Sequence, residues 1–313
     1  MAQIILPIRF AVIAIKERID IVHINTALTN SAIVRDFCLT LVSLFLGKRI
    51  LVHIHGGVYI EKEMPGALLN WIAGEMLHSA DKVLVLSEKE RISIENRWPG
   101  VRPLVAANAV ELNEVDLRKK FRSPCQLVFF GRIDRDKGLN EIISACELLE
   151  ARGLDFEFKC YGTGPDIESF AGSMNEVLGR KFEYKGIVFG QEKIRALNSA
   201  DIFLLPSYYE GMPVSLLEAM AAGCVCVVSE VGSVGTVIDH GNNGFLIEPG
   251  NTNEIARMLE TVIDGTADCR RIGREARRTI ESQFGINGFS DRLDRLYDGI
   301  VCPESEKGAG YRH

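Results

Sequence analysis

The chain has 313 residues, of which 47% are hydrophobic and 25% charged, an ordinary composition for a soluble globular protein and a length that suits two domains. The formal net charge of −6 argues against a nucleic-acid-binding protein, which would normally carry a basic surface. Neither apolar stretch near the start, Ile4 to Ile15 or Phe37 to Leu46, resembles a signal peptide or reaches the ~20 residues that span a bilayer. We therefore expect a cytoplasmic protein, with peripheral contact at the inner face of a membrane as the alternative.

Apolar and helical segments alternate along the first part of the chain. The predicted strands are Ile19 to Asn25, Arg49 to His55, Asp81 to Ser87 and Leu104 to Ala107, and the predicted helices are Ile4 to Arg18, Ser31 to Leu46 and Ala67 to His78. Strands separated by helices form parallel βαβ units. This order predicts a doubly wound α/β sheet.

The same alternation begins again after a charged stretch from Asn113 to Ser123, which is the predicted linker. The predicted strands are Gln126 to Phe130, Asp155 to Tyr161, Lys181 to Gly186, Asp201 to Pro206, Cys224 to Ser229 and Gly244 to Ile247. The predicted helices are Leu139 to Arg152, Asp166 to Leu178, Gln191 to Ser199, Val214 to Ala222, Thr252 to Ile263, Ala267 to Ser282 and Asn287 to Ile300. The chain thus consists of two Rossmann-like units in series.

Three histidines fall near the ends of the first two strands. His53 and His55 alternate, so they share a face, and His55 opens onto Gly56 and Gly57. A histidine at the carboxyl end of a strand, beside permissive backbone, can meet a ligand. We favour this role for His55, while for His53 and His23 we favour capping of the strands through backbone hydrogen bonds.

The loop after the strand Gln126 to Phe130 has the composition of a phosphate site. Gly131 and Gly138 bracket Arg132 and Lys137, so backbone amides, a helix start and two cations would face an anion together. The spacing matches neither a Walker motif nor a dinucleotide fingerprint. Asp134 and Asp136 form a D-x-D pair that imitates a metal site, but it lies between the two cations, so we predict a solvated turn and no metal.

Two carboxylates lie at the junction of a buried strand and the next helix. Glu210 precedes the helix and Glu218 lies inside it. They could be the acid and base of a hydrolase, but the sequence does not fix their separation. Beside a diphosphate site, both suit a second role, which is to accept hydrogen bonds from the hydroxyl groups of a sugar or ribose.

These motifs together resemble a known family. Gly131-Arg132, Lys137-Gly138, Gly162-Thr-Gly-Pro165, Glu210-Gly-Met-Pro213 with Glu218-Ala-Met-Ala-Ala-Gly223, and Gly244-Phe-Leu are similar to the corresponding segments of family 4 of the retaining, metal-independent glycosyltransferases with the GT-B fold. The resemblance covers about Ile19 to Ile300. It implies two Rossmann-like domains facing a cleft, a nucleotide-diphospho-sugar as donor substrate and no cofactor.

The resemblance also implies a role for each matching residue. Arg132 and Lys137 would hold the diphosphate, Val188 would lie near the base, and Glu218 would hold the ribose. Glu210 would contact the donor sugar, beside the amides of Gly211 and Met212. His55 would lie where donor and acceptor meet, which makes His55 and Glu210 the predicted catalytic residues.

The beginning of the chain departs from the family pattern. Relatives of this kind carry on the order of 60 further residues before the strand that starts here at Ile19. We therefore expect an incomplete acceptor-side domain over residues 1–115, with helix 287–301 packing back on it, and a donor-binding domain over residues 120–286. The exposed sheet edge of such a domain would favour a dimer.

The resemblance predicts transfer of a sugar, with uridine favoured as the base of the donor, to a glycan or lipid-linked acceptor in cell-surface polysaccharide synthesis. The alternative is a donor-binding but inactive fragment, or one subunit of a split enzyme. An epimerase of the same fold is disfavoured by the spacing of Glu210 and Glu218.

Overall fold

The computed structural model describes residues 2–113, 123–265 and 267–301. The chain divides into two compact units, one formed by the residues up to Ala107 together with those from Asn287, the other by Asn108–Ile286. This division falls before the predicted domain end at residue 115, because the backbone of Val110 pairs with Phe284 and Ile286 of the second unit. Most of the predicted linker lies outside the described residues.

Helices and strands alternate through the first unit as the sequence predicts. In chain order they are α1 (Ala2–Lys16), β1 (Ile21–Thr26), α2 (Asn30–Phe45), β2 (Arg49–Ile54), α3 (Val58–Glu61), α4 (Ala67–His78), β3 (Lys82–Val85), α5 (Glu88–Arg97) and β4 (Pro103–Val105). The sequence did not predict α5, whose residues are almost all polar. It begins at Ser87, whose side chain accepts from the backbone of Glu90, an N-cap of the S-x-x-E type.

The second unit continues the alternation. Its elements are β5 (Cys125–Phe130), α6 (Leu139–Ala151), β6 (Phe156–Tyr161), α7 (Ile167–Leu178), β7 (Phe182–Gly186), α8 (Gly190–Ser199), β8 (Ile202–Leu205), α9 (Val214–Ala221), β9 (Val225–Ser229), β10 (Phe245–Ile247), α10 (Thr252–Ile263) and α11 (Cys269–Gln283), and α12 (Ile286–Val301) leads out of it. Short 3-10 turns lie at Arg135–Lys137, Gly179–Lys181 and Val234–Thr236.

Each unit is built on a parallel sheet. Among the described residues, the first sheet has the order β1-β2-β3-β4 and the second the order β10-β9-β8-β5-β6-β7. Every residue of β5, β8 and β9 is buried, as expected for central strands covered by helices on both faces. These are two Rossmann-like α/β units, the architecture of the GT-B fold.

Helices cover both faces of the first sheet. On one face, Ile50, Val52 and Ile54 of β2 pack in a core with buried residues of α2 and α4. On the other, Leu51 and Leu84 pack against α12, which contributes Ile300. No helix among the described residues has both the length and the apolar composition to cross a membrane.

Candidate functional site

The centre of the second sheet creates a crevice. β5 lies between β6 and β8, so the chain leaves β5 in one direction and β8 in the other. Ligands of open α/β sheets bind outside the carboxyl ends of the strands at such a switch point. The two loops that follow β5 and β8 contain Arg132, Lys137 and Glu210, three of the predicted site residues.

The loop after β5 is held against the loop after β6 by backbone contacts. The Ile133 amide donates to the Thr163 carbonyl at 2.9 Å, and Asp134 caps the 3-10 turn by accepting from the Asp136 amide at 3.0 Å. A Cβ on Gly162 would lie 1.8 Å from the Gly131 carbonyl oxygen. The weak G-x-G motif of Gly162 and Gly164 therefore has a structural purpose, which is to let two site loops touch.

Glu210 is held by two donors at the start of α9. Lys137 Nζ and Ser207 Oγ both lie 2.7 Å from Glu210 Oε1. The side chains of Lys137 and Glu210 are only 20% and 11% exposed, so the pair is largely shielded from water. Ser207 is fully buried and was not predicted to belong to the site, because a serine after a strand has no distinguishing pattern.

The helix α9 begins and ends close to the predicted residues. Pro213 is its N-cap and provides no side-chain cap, while Gly223 follows the last turn with φ 72°. The loop before it is fixed through carbonyl groups: Gly211 accepts from the Ser233 amide at 2.9 Å, and Met212 accepts from Asn108 Nδ2 at 2.7 Å. Because the Met212 side chain is buried, only the backbone of this residue is available to a ligand.

Glu218 pairs with a lysine that the sequence did not single out. Lys193 Nζ of α8 lies 2.5 Å from Glu218 Oε2. This oxygen is buried, and the lysine ammonium compensates its charge. Lys193 carries no sequence signal, because a lysine on a polar helix is usually solvated.

A cleft of about 680 Å³ opens outside the ends of β5, β6 and β7. Lys137, Glu210 and Glu218 are not among its lining residues, and Glu218 lines a second cavity, of about 320 Å³, together with Lys193. The walls of the larger cleft come from the ends of β5, β6 and β7 and the first turns of α8 and α9, and include Arg132, Thr163, Val188, Lys193 and Ser215. The volume lies within the ~300–1,000 Å³ of small-molecule sites. Val188 therefore lines the same cleft as Arg132. Their roles toward a base and a diphosphate stay predictions.

Both cations that line this cleft, Arg132 and Lys193, are paired with carboxylates. Arg132 Nε lies 2.9 Å from Asp134 Oδ2, and Lys193 pairs with Glu218. In the loops after β5 and β8, Lys137 pairs with Glu210. An incoming diphosphate would compete with these carboxylates for the cations. Asp134 is thus an ion-pair partner and a turn cap in this structure.

The predicted histidines form a row in the first unit. The His53 and His55 rings lie 4.0 Å apart, and His23 stacks on His53 at 5.7 Å. His55 Nε2 lies 2.9 Å from Asn25 Oδ1, and His23 Nδ1 lies 2.7 Å from the Tyr297 hydroxyl. Burial lowers the pKa of His23, and the nearby His55 lowers it further. Of the three, His55 is followed directly by the two glycines.

His53 is buried and bonds to the Ala106 carbonyl at 3.2 Å. Burial lowers its pKa to about 3, and the charges of His55 and His23 add to the shift. In the unfolded chain a histidine has a pKa of about 6.5. Between pH 6.5 and pH 3, His53 binds a proton in the unfolded chain but stays neutral in the folded protein. The folded state therefore keeps its full stability above about pH 6.5 and loses stability as the pH falls below that value.

We expect His53→Gln, which keeps an amide donor toward Ala106, to weaken the acid sensitivity of the first unit. Between about pH 7.5 and pH 5.5 the wild type should lose about 1.4 kcal/mol more stability than the variant. Both tryptophans of the chain, Trp71 and Trp98, lie in the first unit, so urea unfolding followed by tryptophan fluorescence reports on that unit. Equal losses of unfolding free energy in the wild type and the variant would contradict the lowered pKa of His53.

No group of three or more His, Cys, Asp or Glu side chains with metal-binding geometry occurs in the described part of the chain. Cys224 and Cys226 are buried, reduced thiols, and burial raises the pKa of Cys226 well above its usual value. Cys302 lies outside the described residues. The absence of a metal from the reaction stays a prediction.

The family comparison concerns the second unit. Residues 124–265 match the family model described as glycosyl transferases group 1. This segment, a little under half of the chain, is similar to the group 1 glycosyltransferases. It contains every predicted donor-site residue, from Arg132 to Glu218.

Individual relatives extend the comparison. The chain is 32% identical over 196 residues to the amylovoran biosynthesis glycosyltransferase AmsK of Erwinia amylovora, an alignment that covers 58% of this chain and 47% of that protein. The chain thus spans about half the length of this relative.

The fold extends over both units. Sucrose-phosphate synthase from Thermosynechococcus elongatus superposes with a TM-score of 0.77 at 19% identity, over 94% of this chain and 77% of that one. Anabaena HepE in complex with UDP-glucose gives a TM-score of 0.77 at 18% identity, over 94% and 82%. At these identities the structures show a shared fold, and they support the GT-B architecture for this chain.

Proposed function

We propose that the protein is a retaining glycosyltransferase that moves a sugar from a nucleotide-diphospho-sugar, with UDP favoured, to a glycan or lipid-linked acceptor in cell-surface polysaccharide synthesis. The observation that carries the proposal is the cleft lined by Arg132 and Val188 at the carboxyl end of the second sheet, where the loop after β8 holds the Glu210 carboxylate through Lys137 and Ser207. The group 1 similarity, the amylovoran relative and the UDP-glucose complex of HepE support it.

In this proposal the ion pairs of the free site rearrange when the donor binds. The diphosphate binds Arg132 and Lys137 in place of their carboxylate partners. Its two charged phosphates form stronger charge-assisted hydrogen bonds with these cations than single carboxylates do. Glu210, released by Lys137, then accepts hydrogen bonds from hydroxyl groups of the donor sugar. Lys193 joins the site as a third cation and releases Glu218, which accepts from the ribose hydroxyls.

The same cations explain how transfer could proceed without a metal ion. The bond to the diphosphate breaks with the build-up of negative charge on the leaving group, and preorganised cations stabilise such charge. Arg132 and Lys137 would supply this stabilisation. We assign to His55 of the first unit, together with Glu210, contact with the reacting sugars, as the resemblance implies.

Calorimetric titration with UDP and GDP, each with and without EDTA, tests donor binding. We expect UDP to bind more tightly and EDTA to leave its affinity unchanged. Loss of UDP binding in EDTA would contradict the metal-free proposal, and tighter binding of GDP would contradict the choice of base.

A second experiment tests transfer of the sugar. It measures the release of UDP from a UDP-sugar in the presence of a polysaccharide precursor extract. Binding without turnover supports the inactive donor-binding alternative.

Replacement of Arg132 should weaken UDP binding. Arg132→Ala removes a charged donor to the diphosphate, and a hydrogen bond to a charged group is worth about 1.5–3 kcal/mol. The matched control is Arg135→Ala, which removes the same charge from the same loop, on a side chain that faces Asp166 at 3.7 Å. Equal affinities of the Arg132 variant and the wild type in the titration would exclude Arg132 from the site.

A further inference from the structure

Four polar side chains lie together on the face of the first sheet that α12 covers. They are His23 and Asn25 of β1, His53 of β2 and His55, which directly follows β2. Residues two apart on a strand share a face, and these four continue the face that begins with Ile21 and Leu51, which pack with α12. The sheet thus changes from apolar to polar toward its carboxyl end, the end at which open α/β sheets bind their ligands.

The backbone that carries His55 is fixed on both sides of the residue. The His55 amide donates to the Thr26 carbonyl at 2.7 Å, so the pairing of β1 with β2 continues past the end of β2. The loops that follow the two strands also touch, since the Leu28 amide donates to the Gly56 carbonyl at 3.1 Å and a Cβ on Gly57 would clash with the Leu28 backbone. With the backbone fixed, rotation about the side-chain bonds is the freedom that remains to the His55 ring.

A neighbouring ring and an amide restrict this rotation. The centroids of the His53 and His55 rings lie 4.0 Å apart, and His53 is itself buried and bonded to the Ala106 carbonyl. At the edge of its ring, His55 Nε2 lies 2.9 Å from Asn25 Oδ1. A carboxamide oxygen accepts hydrogen bonds and cannot donate them, so this contact requires a proton on Nε2. Nδ1 is then the acceptor nitrogen of the neutral ring.

We propose that Asn25 is a positioning residue for His55, which holds the imidazole in one orientation and in its Nε2–H form. The catalytic meaning of this contact rests on the proposed function, in which His55 contacts the reacting sugars. A reacting group that is misplaced by about 1 Å can cost roughly 100-fold in rate. A side chain that orients the ring before the substrates arrive avoids this loss.

The uncharged amide of Asn25 orients the ring without adding charge. A carboxylate at the same position could accept the same hydrogen bond, but it would also stabilise the imidazolium. The titratable groups that face the row are His23 and His53 on the strands and, on α12, Tyr297 with Asp294 near it. Burial lowers the pKa values of His23 and His53 and raises the pKa of Tyr297, so these three neighbours are uncharged near pH 7.5.

Titration of the histidine rings by long-range proton–nitrogen correlation NMR tests the contact without any substrate. The His55 signal is identified by its loss in His55→Gln. In the wild type its neutral ring should carry the proton on Nε2, and a proton on Nδ1 would overturn the proposal.

Replacement of the amide by a carboxylate gives the second NMR result. Asn25→Asp should move the midpoint of the His55 titration upward by about one pH unit, because an opposite charge then lies beside the ring. The matched control, Asn96→Asp, makes the same change at an exposed position of α5 and should leave this midpoint in place. Equal midpoints in Asn25→Asp and the wild type would overturn the proposal.

The pH dependence of turnover separates positioning from a role in packing. Asn25→Ala should lower kcat roughly 10- to 100-fold at every pH, with the KM for the donor unchanged, because the ring is no longer oriented. Asn25→Asp keeps an oxygen acceptor, so it should recover the wild-type kcat at alkaline pH and lose it on acidification about one pH unit before the wild type does. An equal loss of kcat in both variants at alkaline pH would assign Asn25 to packing and overturn the proposal.

The two experiments also separate this proposal from the proposed function. A wild-type chain without turnover would contradict sugar transfer, and the NMR titration would still decide whether Asn25 orients His55. Urea unfolding followed by tryptophan fluorescence shows that each variant is folded, since both tryptophans lie in the first unit.

Discussion

Lys137→Met is expected to destabilise the second unit by about 2–4 kcal/mol. The substitution leaves the Glu210 carboxylate, 11% exposed, with Ser207 at 2.7 Å as its one remaining side-chain donor among the residues that the structure describes. Removal of one partner of a buried pair costs more than the pair contributes, because the remaining charge stays desolvated. The expected loss of stability is smaller than for a fully buried ion pair because both side chains keep some contact with water.

A double-mutant cycle identifies the cause. Glu210→Gln added to Lys137→Met should recover most of the loss, since no unpaired charge then remains. The control is Lys181→Met, which breaks the more exposed pair with Glu150 and should cost within about 1 kcal/mol. The second unit contains no tryptophan, so its unfolding leaves the tryptophan fluorescence unchanged. The measurement is therefore the midpoint temperature of the calorimetric transition that has no counterpart in fluorescence. A double variant as unstable as Lys137→Met would contradict the account.

Gly162→Ala is expected to destabilise the second unit by about 2–6 kcal/mol and to weaken UDP binding. Gly162 has φ 133°, and a Cβ there would lie 1.8 Å from the backbone oxygen of Gly131. Strain and a clash with backbone therefore act together. Since Gly131 precedes Arg132, the displaced loop is the one that carries the predicted diphosphate contact.

Two further glycines separate the cost of backbone strain from the cost of the steric clash. Gly153 has φ 72° and open space around it, so Gly153→Ala should cost only the strain, about 1 kcal/mol. Gly172 lies inside α7 with open space and ordinary backbone, so Gly172→Ala should stabilise by about 0.5–1 kcal/mol. Calorimetric melting of the three variants should follow this order. A Gly162 variant no less stable than the Gly153 variant would exclude the clash.

The periodicity of the sequence predicts the core elements well because burial dominates their composition. β5, β8 and β9 are continuous apolar runs, and the structure places each within one or two residues of its predicted bounds. The prediction missed α5 because its residues are almost all polar and show no apolar periodicity. It is held by the cap at Ser87 and by Glu90, which accepts from the Leu86 amide at 2.9 Å, and a search for S-x-x-E would have found it.

The candidate site was predictable where backbone and charge coincide in one loop, as at Arg132 and Lys137. Partners from distant parts of the chain were not. The contact of Lys193 with Glu218 joins two different helices, α8 and α9, and the contact of Asn108 with the Met212 carbonyl joins residues 104 positions apart. The role of Gly162 likewise depends on a neighbouring strand, so no local pattern reveals it.

The most direct test of the central claim is a crystal structure of the chain grown with UDP. We predict that the diphosphate contacts the Arg132 guanidinium and Lys137 Nζ, with the base beside Val188 and the ribose hydroxyls on Glu218. The Lys137–Glu210 distance should then exceed its present 2.7 Å, because the lysine turns to the phosphate. A diphosphate bound elsewhere, with Arg132 still on Asp134 and Lys137 still on Glu210, would contradict the account.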